Sequence, residues 1–460
     1  MRPAETTPVA TERRALRGFG GGRTASVLLM RPGDIEEART AVDACRSARR
    51  HDDRGGAIAR GRGRSYGDAA QLTGGHVLEM TELRDFELDR DTGVVTASAG
   101  VTIGDLLAAL APAGWTLPVV PGTRHVTVGG AVASDIHGKN HPSAGSFGSH
   151  LSGLGLLTAD GEVRELAPGG RLFHATVGGM GLTGVVLWAR IRLEPATGDR
   201  MAVDTDRVRS LDDALDLLAA RAPARHRIAW LDLLGPRPGR GIVTRSEPMA
   251  GEQGKAPAPA AAAALTVPEH WPAGLLRVAS VRAFNELRYR RAPARERGRP
   301  HALGTHLFPL DSLGAWPRLY GRDGLIQYQF AVPVGQENVL HQAIGRLSRA
   351  RIPCFLATLK ALGPASGAPL SFPLAGWTLA VDIPRRAAGL EEVLDSLDLL
   401  VAEAGGRVYL TKDARLRADV VGAMYPGIEG WRDDRDAVDP DGLWRSDLAL
   451  RTGLIPGGRA

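Results

Sequence analysis

The stretch SDIHGKNHPSAGSFG, residues 134–148, contains a lysine in a chain that otherwise uses arginine for nearly all of its positive charge. The chain has 57 basic residues, and the lysines among them are Lys139, Lys255, Lys360 and Lys412. An ammonium is a compact point charge on a thin stem, whereas a guanidinium is a wide planar fork, so the two are not interchangeable in a tight site. The retained lysines, together with the neighbouring His137, are therefore our first candidates for functional residues.

Composition limits the classes of protein to which the chain can belong. Its 460 residues are 43% apolar and 23% charged, as in ordinary globular proteins, and the length suggests two or three domains. The net charge is 57 − 51 = +6, which fits an anionic ligand or a membrane surface. Basic segments such as RARERGRP lack interleaved aromatic residues, so we expect no nucleic-acid partner.

The ends and the cysteines give few signals about compartment. Cys45 and Cys354 are far apart in apolar contexts, so we expect neither a disulfide framework nor a metal site. The first 22 residues have no apolar core of a signal peptide, and no apolar run is long enough to span a membrane. We therefore expect a cytoplasmic protein that contacts a membrane only peripherally.

The order of predicted elements indicates an α+β fold. Residues 1–22 are expected to be a disordered arm, and strands and helices then mix through residue 195, with Asp34, Thr102 and Thr127 as predicted helix caps. Beyond residue 200 the strands alternate in polarity and two long helices follow them, as in a sheet covered by helices. Residues 247–274 are rich in Ala, Pro and Gly and are predicted to be a mobile loop.

Three glycine-rich loops could bring backbone close to a ligand. GRGRSYGD (61–68) follows a strand, and its consecutive amides can form a nest for phosphate, although a plain surface turn would have a similar sequence. The segments 117–141 and 176–186 offer two further close approaches. The first loop is neither a dinucleotide fingerprint that opens a helix nor a Walker loop, which disfavours a nicotinamide Rossmann domain and a P-loop NTPase.

Taken together, these segments resemble the flavoenzyme family of decaprenylphosphoryl-β-D-ribose 2′-oxidases, within the vanillyl-alcohol-oxidase group. The resemblance runs through ARGRGRSYGDAA, SDIHGKNHPSAGSFG, ATVGGMGLTGVV and GGRVYLTKDAR, among others. It implies a two-part FAD-binding domain of the PCMH type, residues 1–197 with 408–460. It also implies a substrate domain over residues 198–407, with a mainly antiparallel sheet covered by helices.

The resemblance also implies which residues surround the ligands. The cofactor residues would be Ala59, Arg60, Gly61, Arg62, Gly63, Arg64, Ser65, Tyr66, Gly67, Asp68, Ala69, Gly122, Thr127, Val128, Gly129, Gly130, Ser134, Asp135, Ile136, His137, Val186 and Tyr409. The substrate residues would be Tyr66, Lys139, Trp230, Gln327, Lys360, Thr378, Ala380 and Lys412. Arg64 stands where many relatives in the wider group tether FAD through a histidine, so we expect non-covalent FAD.

The implied activity is oxidation of the 2′-hydroxyl of a polyprenyl-phosphoryl ribose. Lys412 would stabilise the negative charge that develops on the flavin, Gln327 would orient the sugar, and His137 would accept the proton, unless a lysine of depressed pKa does so. A short-chain reductase would complete an epimerisation to arabinose. The resemblance also allows a location on the periplasmic, cell-envelope side of the membrane. Two alternatives remain at this point: an oxygen-dependent alditol or aldonolactone oxidase, and a non-catalytic flavin-binding module.

Overall fold

The computed structural model describes residues 9–51, 55–220, 224–250, 263, 265–272 and 274–456. Its strands are short or of medium length and fall into three larger sheets and two small ribbons. They are β1 (Thr11–Gly18), β2 (Gly21–Met30), β3 (Ala57–Arg60), β4 (His76–Glu79), β5 (Phe86–Asp89), β6 (Val94–Ser98), β7 (Trp115–Thr116), β8 (Leu151–Leu157), β9 (Val163–Leu166), β10 (Val185–Arg192), β11 (Glu194–Pro195), β12 (Arg200–Val208), β13 (His226–Leu231), β14 (Gly241–Pro248), β15 (Leu265–Thr266), β16 (Arg295–Ala302), β17 (Leu313–Gly314), β18 (Leu325–Pro333), β19 (Leu356–Leu362), β20 (Gly376–Pro384) and β21 (Arg407–Val408).

The helices lie between these strands and at the end of the chain. They are α1 (Ile35–His51), α2 (Ile103–Leu110), α3 (Val128–Ala133), α4 (His141–Ala144), α5 (Arg171–Thr176), α6 (Leu211–Ala219), α7 (Val278–Arg291), α8 (Leu303–Leu307), α9 (Glu337–Arg349), α10 (Leu390–Glu403), α11 (Ala418–Met424), α12 (Ile428–Asp436) and α13 (Asp447–Arg451). None of the helices in the described ranges is long and apolar enough to cross a bilayer.

The predicted helix caps are present. The Thr102 hydroxyl oxygen accepts from the amide of Asp105, and the Asp105 carboxylate accepts from the amide of Thr102. This capping box begins α2. Thr127 accepts from the amide of Gly130 at the start of α3, and the amide of Glu37 donates to Asp34 Oδ1 at the start of α1. Local side-chain chemistry alone fixes where these helices begin.

The first part of the chain forms two sheets. One has the order β1-β2-β4-β3, and the other has the order β5-β6-β10-β8-β9. The expectation of a disordered arm over residues 1–22 is wrong for residues 11–18 and 21–22, which lie in the paired strands β1 and β2, and its first eight residues lie outside the described ranges. Strand β2 begins with positive φ at Gly21 and Gly22. The side chains of β1 are mostly exposed, so the strand depends on backbone pairing and shows no apolar alternation.

The central part of the chain forms an eight-stranded sheet of order β16-β12-β14-β13-β19-β20-β18-β21, and every pairing in it is antiparallel. In the register of β18 with β20, Gln327 lies opposite Asp382 and Gln329 opposite Ala380. Because side chains alternate across a strand, these positions share one face of the sheet, and the opposite face packs against helices such as α6 and α10. The predicted α+β class with its helix-covered antiparallel sheet is confirmed.

The chain end returns to the first part. The amide of Arg445 donates to the carbonyl of Ala57, and Ala57 pairs with Trp444 in an isolated parallel bridge. This return fits the expected grouping of residues 408–460 with the first 197, although the domain division stays a prediction. Half of the predicted mobile loop, residues 251–262, 264 and 273, lies outside the described residues. The described part includes the end of β14 and the short strand β15.

Candidate active site

A cavity of about 370 Å³ lies between the glycine loop after β3, helix α3 and the polar face of the eight-stranded sheet. It brings together most of the residues expected to surround the ligands, although they come from distant parts of the sequence. These are Ala59, Arg60, Gly61, Arg62, Gly63, Arg64, Ser65, Tyr66, Ala69, Gly122, Thr127, Gly129, Gly130, Ser134, Ile136, His137, Lys139, Val186, Gln327, Lys360, Ala380, Tyr409 and Lys412.

Six expected residues do not line the cavity: Gly67, Asp68, Val128, Asp135, Trp230 and Thr378. A Cβ on Gly67 would lie 1.9 Å from the carbonyl oxygen of Asp413, so this glycine permits a close backbone packing. The Asp68 carboxylate is paired with Arg451 at 2.7 Å, and the Val128 side chain is fully buried in the core. These residues shape the loop and the helix, and their role at the cofactor stays a prediction.

Asp135 and Trp230 support the walls of the cavity from behind. The Asp135 carboxylate accepts bonds from the hydroxyls of Ser146, Ser366 and Ser371 and from the amide of Gly148. It therefore ties the loop after α3 to the segment that precedes β20.

The indole nitrogen of Trp230 donates to the carbonyl of Phe355 at 2.9 Å, and the guanidinium of Arg288 lies 4.7 Å from its ring. Arg288 itself lines the cavity. Trp230 therefore positions a wall residue rather than forming the wall.

The glycine loop after β3 fits the phosphates of FAD. The backbone amides of residues 62–65 donate no hydrogen bond to another residue in the described ranges, which leaves a row of donors beside the cavity. Gly63 has φ +60, and a Cβ there would lie 2.2 Å from a terminal nitrogen of Arg60. Consecutive free amides in such a loop form a concave anion site, which an added side chain at Gly63 would close. The residues present therefore fit the group that the resemblance implies.

Lys412 lines the cavity beside Tyr66. Its Nζ lies 4.0 Å from the ring centroid of Tyr66, whose hydroxyl accepts from Gln327 Nε2 at 3.3 Å. Burial lowers the pKa of Lys412, the nearby Asp382 carboxyl opposes that shift, and the charge of Lys360 adds to it. A cation over an aromatic face, without an ion pair among the described residues, suits a site for developing negative charge.

The other two lysines of the described chain lie in the same cavity. Lys139 donates through Nζ to the carbonyls of His306 at 2.5 Å and Leu307 at 3.3 Å, which anchors α8 to the cavity wall. Burial lowers the pKa of Lys139 to about 7 and the pKa of Lys360 to about 8. Lys360 forms no hydrogen bond or ion pair with another described residue. Lys255, the fourth lysine, lies outside the described residues.

Asp382 is a carboxyl group buried directly behind these cations. Its Oδ1 accepts a short hydrogen bond from Gln327 Nε2, and its Oδ2 is buried without a partner in the described chain. Burial raises the pKa of Asp382, and the charge of Lys412 lowers it. Both hydrogens of the Gln327 amide are directed into the protein, to Asp382 and Tyr66, so the amide oxygen remains as the acceptor for a ligand hydroxyl.

The imidazole of His137 is buried in the cavity wall. Burial lowers its pKa well below the usual value, and the charges of Lys360 and Lys412 lower it further. Gln329 Nε2 lies 3.2 Å from His137 Nε2 and 3.2 Å from Thr378 Oγ1, so the amide donates to both. This contact engages Nε2, and Nδ1 is buried without a partner in the described chain. The arrangement argues against His137 as the proton acceptor.

Sequence reasoning missed Asp382 and Gln329. Each is a polar residue in a strand that is otherwise apolar, within VDIP and YQFA, and a buried polar residue in such a strand needs a partner. That signal was available from the sequence. The partners themselves, Gln327 and His137, lie 55 and 192 residues away and are fixed only by the sheet register and the domain contact.

The comparisons with known proteins agree with this geometry. Residues 27–167 match the FAD binding domain family, which covers the glycine loop and α3. The chain is 41% identical to the decaprenylphosphoryl-beta-D-ribose oxidase of Mycolicibacterium smegmatis, over 98% of this chain and all of the relative. It is 40% identical to an uncharacterized Streptomyces coelicolor protein, over 77% of this chain and all of the relative. It is 32% identical to an alditol oxidase of Streptomyces sp., over 31% of this chain and 34% of the relative.

These matches fix the class of the protein. The relative from M. smegmatis is matched over its whole length, whereas the alditol oxidase is matched over about a third of its length. The cavity supplies free amides for the phosphates and cations for the negative charge that an FAD-dependent oxidation develops. The chain is an FAD-dependent oxidoreductase and belongs to the decaprenylphosphoryl-β-D-ribose oxidase family.

Proposed function

We propose that the protein oxidises the 2′-hydroxyl of decaprenylphosphoryl-β-D-ribose to the 2′-keto product. The observation that supports this most strongly is the convergence of Lys139, Lys360 and Lys412 on one cavity. A phosphorylated sugar needs a cation for its phosphate, and the negative charge that develops on the cofactor needs another. A soluble alditol carries no phosphate and would need only the cation at the cofactor. The reaction is the first half of an epimerisation to the arabinose donor for cell-wall arabinan.

FAD, when bound, supplies the hydride acceptor for the reaction. The free amides of residues 62–65 would bind its phosphates, and Lys412 would hold a positive charge where negative charge develops during hydride transfer. A cation placed there stabilises the transition state more than the ground state. Arg64 lies over the ring of Phe19 at 5.0 Å, where a guanidinium offers no nucleophile for a tether, so we infer non-covalent FAD.

The substrate hydroxyl would be oriented by Gln327 and Tyr66. The Gln327 oxygen can accept the hydrogen of the hydroxyl, and the Tyr66 hydroxyl can donate to a sugar or phosphate oxygen, since its own lone pair receives Gln327. We assign the proton acceptor to Lys360 instead of His137. Lys360 lines the cavity and forms no hydrogen bond with another described residue, whereas Gln329 engages His137 Nε2.

The test is anaerobic mixing of the FAD-loaded protein with farnesylphosphoryl-β-D-ribose while the flavin absorbance is followed. We expect rapid bleaching with the ribose and none with an alditol. Bleaching by the alditol instead would favour the oxygen-dependent alditol oxidase, and no bleaching by any sugar would favour the non-catalytic module. Loss of the yellow colour from the chain on denaturation checks that FAD is non-covalent.

Two matched variants test the base. His137→Gln should keep the rate of bleaching within about tenfold, since its ring serves as a support, whereas Lys360→Met should lower it by about a hundredfold or more. The reverse order would return the role to His137. We further propose that a short-chain reductase consumes the keto product and that the protein contacts the membrane peripherally, because a decaprenyl chain resides in a bilayer.

A further inference from the structure

A groove of about 1360 Å³ lies beside the active-site cavity and is lined by more cationic than anionic side chains. Its arginines come from five separate segments of the chain. They are Arg17, Arg277, Arg318, Arg322, Arg351, Arg385 and Arg386. Its acidic residues are Glu269 and Asp323, and Asp323 is already paired with Arg386 at 2.9 Å. We call this surface the arginine groove.

Most of the cationic groups in the arginine groove are available to a partner. Arg17, Arg277, Arg318, Arg322 and Arg351 are exposed. None of these five guanidinium groups forms an ion pair with an acidic side chain in the described ranges, and Arg277 and Arg318 donate only to the carbonyls of Gly274 and Val267. Arginines such as Arg240 and Arg435 are instead buried against carboxylates, so an exposed set without carboxylate partners indicates a surface for an anionic partner.

Exposed apolar side chains lie on the chain segments that enter and leave the wall of the same groove. Four of the nine large apolar residues that are exposed in the described chain fall within residues 265–287: Leu265, Leu275, Phe284 and Leu287. Leu275 precedes the groove residues Leu276 and Arg277 directly. Phe284 packs edge-on against Phe355, which stacks on Tyr320 in the groove wall. Arginines combined with protruding leucine and phenylalanine are the surface that binds an anionic bilayer.

The groove is adjacent to the active-site cavity. Phe19 lines both, and the helical turn Trp316–Tyr320 separates them, with Trp316 on the cavity side and Tyr320 on the groove side. Helix α7 begins at the groove and presents Arg288 to the cavity. A lipid that arrives at this surface is therefore next to the active site without crossing the rest of the protein.

We propose that the arginine groove docks the protein on an anionic phospholipid surface together with an apolar rim, which consists of Leu265, Leu275, Phe284 and Leu287. An acidic protein partner would use the charges but would not need four exposed apolar side chains, whereas a bilayer uses both. The inference deepens the proposed function, because a polyprenyl-phosphoryl substrate has to be taken from a membrane. In this orientation the mouth of the cavity would face the membrane.

The experiment is co-sedimentation of the FAD-loaded protein with vesicles of phosphatidylcholine plus phosphatidylglycerol, and with vesicles of phosphatidylcholine alone. We expect binding to the first, weakened by salt, and little binding to the second. The double variant Arg318→Glu/Arg322→Glu should lose about tenfold or more in affinity. The matched control, Arg90→Glu/Arg209→Glu, changes the net charge equally at exposed arginines outside the groove and should bind as the unaltered protein does.

Leu275→Asp tests the apolar rim separately and should also weaken vesicle binding. Because Leu275 is exposed, the substitution should leave the fold intact. Equal losses in the groove and control variants, or a full-length protein that stays in solution with anionic vesicles, would overturn the inference. Turnover of the short-chain farnesyl substrate without vesicles should be unchanged in all of these variants. That assay keeps a failure of docking distinguishable from a failure of the proposed function.

Discussion

The protein buries positive charge in two different ways. In the eight-stranded sheet, Arg240 donates to Asp232 at 2.8 and 3.0 Å and to Glu286, and it stacks 4.3 Å over the ring of Tyr289. In the cavity, Lys360 and Lys412 are half-buried and have no ion pair in the described chain. An unpaired buried cation is destabilising, so its retention indicates a ligand that completes it. The paired Arg240 stabilises the fold, whereas the unpaired Lys360 and Lys412 are placed to act on a ligand.

The largest effect is expected from Lys412→Ala. A charge at about 4 Å and an effective dielectric near 20 contributes roughly 4 kcal/mol, so the rate of anaerobic flavin reduction should fall about a thousandfold. FAD content should stay unchanged, as checked by the flavin absorbance of the purified variant. Lys412→Arg retains the charge but needs a wider slot, and it should not restore the rate. Full activity of that variant would remove the distinction between the two cations.

Arg240→Ala should show the opposite pattern. It leaves the fully buried Asp232 without its main partner, and the free energy of unfolding should fall by about 3–4 kcal/mol. The rate of flavin reduction in the folded protein should remain within about twofold. Urea unfolding and stopped-flow measurements on the same preparation check both parts. A large loss of rate without a loss of stability would contradict the assignment.

Lys360→Met should stabilise the protein while it lowers activity. Burial lowers the pKa of Lys360 from 10.5 to about 8, so a charge at this position costs up to about 3 kcal/mol. Below pH 8 both the folded and the unfolded chain carry the charge and the whole cost applies. The cost disappears as the pH rises toward 10.5.

The measurement is urea unfolding of Lys360→Met and of the unaltered protein at several pH values. The gain in stability should therefore be greatest near pH 7 and should shrink at alkaline pH. A gain that is independent of pH would show that the methionine acts only through packing. Arg346→Met, which removes a partly exposed cation from α9, is the control.

The smallest effect is expected from Asp382→Asn. The groups that face the Lys412 ammonium are Asp382, Lys360 and the ring of Tyr66, and Asp382 is the one that favours its charge. Removal of this carboxyl should lower the pKa of Lys412 further. The alkaline limb of the kcat profile should then move by about one unit to lower pH. A lower rate with an unmoved limb would indicate that Asp382 only orients Gln327.

Local chemistry made much of the fold predictable. The caps at Asp34, Thr102 and Thr127 and the alternating strands of the central sheet depend on neighbouring residues, and the structure contains them. Strand β1 was not predictable, because a solvated edge strand depends on its partner and not on its own apolar pattern.

In the site, the lysines were predictable from their rarity, but their partners were not. Gln327 meets Asp382 only because β18 and β20 pair in one register, and a shift by one residue would turn the two side chains to opposite faces. The contact of His137 was unpredictable from sequence for a similar reason. Gln329 approaches its Nε2 from the eight-stranded sheet at 3.2 Å, and the role of His137 as proton acceptor stays a prediction that its variant tests.

The position of Phe19 matters for how the chain is handled in the laboratory. Its ring lies 5.3 Å from Tyr66 and 5.6 Å from Trp316, and it is carried on the turn between β1 and β2. A shortened form that starts after this turn would keep nearly every side chain expected to touch a ligand. It would nevertheless remove part of the wall between the cavity and the arginine groove, and water would reach the cavity there. Trimming the first twenty residues to help expression would also remove β1, which pairs with β2, so the sheet and the cavity wall would change together.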